Sequence, residues 1–204
     1  MAPWGEVSFY RDLLHRPVVD SEGHVVGALL DLAAGPAPSL SGYAAVLSMV
    51  LRPKRAIRRP GLQAPLVLPW DLVDSIGSRG VQLRCPCAEL TSTSIAAGAL
   101  LVRRHILDQQ IVDCRGAKLL RVNDVTLDWM DGSLHLQGMD TGARGFLTRI
   151  GYGWGLLHLL RPLHERLRQR LIGWDLVDRV EPSRGTIRLR LPREAIQAAG
   201  DPVA

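Results

Sequence analysis

The chain has 204 residues, of which 47% are apolar and 22% charged, the balance of an ordered globular protein rather than a disordered or collagen-like one. Its longest apolar runs, such as residues 95–102, fall far short of the roughly 20 residues a membrane-spanning helix needs. Lys and Arg total 25 against 20 Asp and Glu, but only Lys54 and Lys118 are Lys, so the basic pI of 9.6 reflects an Arg bias and points only weakly to nucleic acid.

Taken in chain order, the N-terminus Met-Ala-Pro-Trp-Gly-Glu has neither the basic nor the apolar segment of a secretory signal. Three cysteines do not suggest a disulfide framework, so a cytoplasmic protein is expected. Leu13–Leu14 reads as a short helical turn, followed by a strand at 17–20, a Ser-Glu-Gly turn and a longer strand at 24–31. Segments 33–42 and 52–65 are rich in Pro and Gly and read as loops. Val81, Leu83 and Cys85 alternate with Gln82 and Arg84, the period of a half-buried strand. Residues 133–137 share that period, as do Ile187, Leu189 and Leu191. Over 154–171, Leu156, Leu160, Leu163, Leu167 and Leu171 recur at helical spacing, which predicts an amphipathic helix kinked at or starting near Pro162.

An internal repeat organises these elements. Residues 11–31 match 104–124 at an offset of 93, pairing Asp20 with Asp113, Gly23 with Gly116 and Asp31 with Asp124. Residues 69–84 match 173–190, and Trp-Asp-Leu-Val-Asp occurs in both at an offset of 104. The chain therefore divides into a first unit, 1–87, a connector, 88–103, and a second unit, 104–204, carrying the helix. Both read as β, and short strands with Gly-bearing turns favour a small barrel or sandwich.

Val-Val-Asp-x-x-Gly, a second Asp, and then Pro-Trp-Asp-Leu-Val resemble the PRC-barrel, a small β-barrel found in the photosynthetic reaction-centre H subunit and in the ribosome maturation factor RimM. Residues 104–191 are similar to the PRC region of MgtE-like PRC/MgtE-N/CBS proteins, in which the Leu-Pro-Arg-Glu stretch continues into further domains; here the chain stops at Ala204. The resemblance implies a mainly β fold: two tandem small barrels related by pseudo-twofold symmetry, plus the second-unit helix. It also implies a non-enzymatic interaction or regulatory module in a membrane-associated assembly. An RNA- or ribosome-associated factor and a Mg²⁺-responsive domain are the alternatives.

The residues offer few chemical constellations. No nucleophile elbow, phosphate loop, dinucleotide fingerprint or His-Glu-x-x-His is present, so neither an enzyme nor a cofactor is expected. Cys85 and Cys87, with Cys114, fall short of four zinc ligands and read as buried small hydrophobes. The paired carboxylates Asp71/Asp74 and Asp175/Asp178 read as turn caps before cation ligands, and Asp20/Asp31 and Asp113/Asp124 invite the same two readings. The six histidines receive no role. Arg52, Lys54, Arg55, Arg58 and Arg59 form a basic cluster confined to the first unit. With Trp154, Arg161 and Arg168 on the helix they are the expected partner-binding residues. A protein partner, with contact to an anionic membrane surface, is expected; nucleic acid and a small-molecule substrate are not.

Overall fold

The computed structural model describes residues 6–35, 43–55, 65–112, 114–116, 118–130, 132–141 and 171–190. The first unit runs through β1 (Val7–Ser8), a wide turn (Phe9–Leu13), β2 (Pro17–Val19), β3 (Val25–Ala34), β4 (Ala44–Pro53) and β5 (Leu66–Pro69). A 3₁₀ turn (Trp70–Leu72), β6 (Val73–Gly77) and β7 (Gly80–Leu83) follow. The same order starts again inside the 88–103 connector, with β8 (Leu100–Leu101) and a wide turn (Val102–Ile106), so the second unit begins near residue 100 rather than at 104. It runs on through β9 (Gln110–Val112), β10 (Lys118–Arg121), β11 (Asp124–Met130) and β12 (Ser133–Asp140). It continues with β13 (Leu171–Gly173), a 3₁₀ turn (Trp174–Leu176), β14 (Val177–Glu181), another 3₁₀ turn (Pro182–Arg184) and β15 (Thr186–Leu189). The fold is mainly β, with one large curled sheet and a second sheet ordered β10-β9-β15-β14.

Strand pairing repeats as faithfully as the sequence. In the first unit neighbours run β6-β7-β2-β3-β4-β5; in the second, β14-β15-β9-β10 and β11-β12-β13, with β10 and β11 standing where β3 is continuous. Val18 opposite Gly27 corresponds to Ile111 opposite Leu120, and the register irregularity at Ala33/Ala34 recurs at Thr126/Leu127. Both units also hold one non-glycine residue in the left-handed region before their second strand, His15 at φ 65° and Asp108 at φ 64°. There the chain leaves the wide turn, and the two amides are fixed by bonds to the Leu29 and Val122 carbonyls.

The contacts between units are reciprocal. β1 pairs antiparallel with β11 (Val7 opposite Leu127), and β8 pairs in the equivalent register with β3 (Leu100 opposite Ala34). The first short strand of each unit thus lies on a long strand of the other, β1 on β11 and β8 on β3. Within the large sheet the strands of the two units join where β4 meets β12, with Ala45 opposite His135.

The repeated aspartates fasten this exchange. A helical turn starts with amides that lack partners within the turn, and a carboxylate can accept them. Asp31 on β3 accepts from the Arg103 and Arg104 amides of the second unit's turn at 2.7 and 3.3 Å. Asp124 accepts from the Tyr10 amide of the first unit's turn at 2.9 Å and from the Ser8 hydroxyl. Burial pushes the Asp31 carboxyl up to about 6, although the Arg103, Leu32 and Arg104 amides oppose it. Asp124 is raised in the same way, against the Ser8, Tyr10 and Val125 donors.

One cluster of buried side chains runs through both units. Phe9 and Leu13 from one wide turn, Val102 and Ile106 from the other, and Trp70 and Trp174 all belong to it. The indole of Trp70 also meets Trp129 of the second unit, with ring centroids 6.5 Å apart.

Several sequence expectations shift. Ala33 and Ala34 close β3 instead of opening a loop, because β4 and β8 both pair with them. Arg52 and Pro53 end β4; proline is tolerated there because its missing N–H comes at a strand end. Leu171 begins β13 and is 49% exposed, so it is not the last leucine of a helical stripe. Residues 154–170 lie outside the described residues, as do 36–42 and 56–64.

Asp31 has a signed consequence. Its folded pKa lies above the ordinary carboxylate value, so the folded state holds the proton more tightly than the unfolded chain does. The stabilising contribution is complete below about pH 4 and is lost as pH rises through about 6. Relative to an Asp31→Asn variant, the parent protein should gain about 2–3 kcal/mol between pH 7.5 and pH 4 in urea denaturation. A difference that stays constant with pH contradicts this assignment.

Candidate functional site

The first unit carries a shallow cleft of about 560 Å³ at the end of the β3–β4 pair. Gly27 on β3 faces Pro53 on β4, and the Lys54 amide bonds to the Val26 carbonyl at 2.9 Å. This approach is close enough that a Cβ at Gly27 would lie 2.5 Å from the Arg52 carbonyl oxygen. Glycine is therefore the residue that lets β4 deliver Arg52, Lys54 and Arg55 beside the start of β3.

Apolar groups line the cleft between these cations: Pro17, Val25, Ala28 and Pro53, with Val25 37% exposed. His15 completes the lining. Its backbone is left-handed and its side chain is exposed. Arg52, Lys54 and Arg55 are exposed and have no carboxylate partner among the described residues.

Three of the eight expected partner-binding residues therefore meet at one opening. Arg58, Arg59, Trp154, Arg161 and Arg168 lie outside the described residues. His15, Gly27 and Val25 were not among the expected site residues. Only the Pro-Val-Val strand and the following Gly hint at a floor there.

The repeat positions show how local this surface is. Where the first unit has His15, Pro17, Val25, Gly27 and Ala28, the second has Asp108, Gln110, Lys118, Leu120 and Arg121. The strand registers are the same, so the framework does not require the small, apolar floor.

The other candidate, Asp20 with Glu22 and His24, brings three potential ligand atoms within 4.8 Å of one another. Asp20 is fully buried, and its two oxygens already accept the Glu22, His24 and Cys87 amides at 3.0, 2.8 and 2.9 Å. Burial acts to raise its pKa, but the amides of Cys87, His24 and Glu22 outweigh it and hold the carboxyl below its ordinary value. The Gln82 side-chain amide also donates to the Asp20 carbonyl. Asp20 is thus an acceptor that ties the β2–β3 turn to the chain after β7, while Glu22 and His24 are exposed.

Cys85 and Cys87 follow β7 rather than sharing a strand face, and Cys87 opens a 3₁₀ turn. Burial and the nearby Glu89, Asp20 and Cys87 raise the Cys85 pKa, which keeps it a packed thiol. The 3₁₀ turns of the repeated Trp-Asp-Leu-Val-Asp start at Pro69 and Gly173, which offer no side-chain cap. Asp71, Asp74, Asp175 and Asp178 are exposed, whereas Trp70, Val73, Trp174 and Val177 are buried. The motif recurs because its apolar residues fill equivalent parts of the core. No helix among the described residues is long and apolar enough to cross a membrane.

No protein-family model and no curated protein matches this chain.

The structural role of Asp20 is testable. Asp20→Ala strands three backbone amides and should cost about 3 kcal/mol or more, whereas Glu22→Gln and His24→Gln should each cost no more than about 0.5 kcal/mol. Mg²⁺ at millimolar levels should leave the thermal midpoint unchanged. Comparable losses from all three variants, or a metal-induced rise, would identify a ligand set instead.

Proposed function

We propose that the chain is a non-catalytic interaction module: two PRC-type barrels related by a pseudo-twofold axis, docking a partner protein through one face of the first unit. In the first unit the 3₁₀ turn at Trp70 links the two ends of a six-strand path, and in the second the turn at Trp174 links β13 to β14, the ends of its two shorter paths, which supports the reading of a small barrel in each. The observation that carries the proposal is the divergence between units. A duplicated framework retains its registers, cross-boundary carboxylates and buried tryptophans, while His15, Pro17, Val25, Gly27 and Ala28, replaced at the repeat positions by Asp108, Gln110, Lys118, Leu120 and Arg121, line a cleft whose cations have no carboxylate partner among the described residues. Function, rather than folding, accounts for that change.

Surface complementarity is the mechanism. Cations at the rim favour encounter with a negative partner, and the apolar floor supplies area that leaves water on docking. The rigid paired scaffold presents both without reorganisation. In a cell this suits a component that joins a larger assembly, in line with the resemblance to PRC proteins of membrane-associated complexes.

Placing a photo-reactive amino acid at position 15, and separately at the equivalent position 108, tests the proposal in the native host. Irradiation should give a discrete protein adduct from position 15 and much less from position 108. Adducts of equal yield from both positions, or from neither, would contradict docking through this face.

A further inference from the structure

Resting on that reading, the shape and charge of the cleft narrow the partner. We propose that it receives a short acidic peptide segment of the partner protein, with an apolar side chain against Val25 and Pro53 and flanking carboxylates held by Arg52, Lys54 and Arg55.

Three observations support this occupant. The first is charge: three exposed cations surround one opening, and no described carboxylate neutralises them. Guanidinium and ammonium groups together suit carboxylates in more than one orientation, because the Arg fork and the Lys point charge bind them differently.

The second is shape. The volume of about 560 Å³ lies within the range of ligand-sized pockets, and its floor is apolar. A flat membrane surface would neutralise the cations but leave a concave floor unfilled. A projecting side chain fills it.

The third is rigidity. Gly27 locks the end of β4 against β3, and His15 is held in a left-handed conformation by its amide bond to Leu29. The receiving surface is therefore preorganised, which lowers the ordering cost of capturing an extended chain.

Selection of displayed short random peptides against the full chain tests the inference. Enriched peptides should contain Asp or Glu on both sides of a Leu, Ile, Val or Phe. A synthetic peptide of that kind should bind in fluorescence anisotropy, and its affinity should fall steeply as salt is raised. Arg52→Glu combined with Lys54→Glu should weaken binding at least about tenfold. Both positions are exposed, so the urea midpoint should be nearly unchanged. His15→Gly retains the left-handed backbone and should weaken binding without loss of stability, separating docking from folding. Arg121→Glu, on the equivalent surface of the second unit, should have no effect.

Enrichment of neutral or basic peptides, or affinity unaltered by the double charge reversal, would overturn the inference. The proposed docking of a partner through this face would survive that outcome if position 15 still gave its adduct. Sedimentation of the full chain with phosphatidylglycerol vesicles, lost in the double variant and accompanied by no peptide binding, would overturn it in favour of a lipid surface.

Discussion

Everything else in this structure depends on an exchange of chain ends between two halves. Each half starts as a two-residue strand on the other half's long strand, and a wide turn follows at once. Asp31 and Asp124 receive the amides that open those turns, each from across the unit boundary. A two-residue strand is too short to hold itself in place. Buried residues beneath it, Phe9 and Leu13 in one half and Val102 and Ile106 in the other, supply the hydrophobic part of the contact. The aspartates supply direction, because a buried amide without an acceptor is costly. One half alone would expose the partner strand edge and leave its aspartate without the amides it now receives.

This arrangement explains why two small units can be stable together. A domain of such size buries only a modest share of its unfolded surface, and sharing one core raises that share. It also explains where change is tolerated. Positions that serve the exchange keep their chemistry in both halves, namely the cross-boundary carboxylates and the buried tryptophan; the left-handed backbone is kept too, while its residue changes from His15 to Asp108. The end of the β3–β4 pair lies away from the boundary. There His15, Val25 and Gly27 of the first half stand where the second half has Asp108, Lys118 and Leu120. Redundancy in the scaffold frees that surface to specialise.

Much of the architecture was legible in the residues. The offset of 93 between Asp31 and Asp124 predicts equivalent positions, and period-2 alternation marks β7, β12 and β15. The crossing was not legible. A strand pattern records which faces are buried but not which copy of an identical strand is the neighbour, so pairing within or between units leaves the same sequence trace. Proline misled at Pro53, where a strand end needs no donor. Histidine and aspartate are both enriched in the left-handed region, but five other histidines share that bias, so the place of His15 in the cleft could not be read from its residue type. The Trp-Asp-Leu-Val-Asp repeat drew notice to its carboxylates, although its buried indoles and valines do the packing. Of the site, the basic cluster was evident from composition, whereas the floor required the approach of β3 and β4 in space.

The central claim is that the exchange makes one cooperative body of two units. Trp70 and Trp174 occupy equivalent buried positions in the two halves, Trp70 also meeting Trp129 across the boundary, so between them they report on both units. Fluorine labelling of these indoles, followed by NMR through a urea titration, tests the claim most directly. The account predicts that both native resonances disappear in one transition with the same midpoint and the same slope. Persistence of either resonance after the other has gone would show that the units fold independently, and would contradict it.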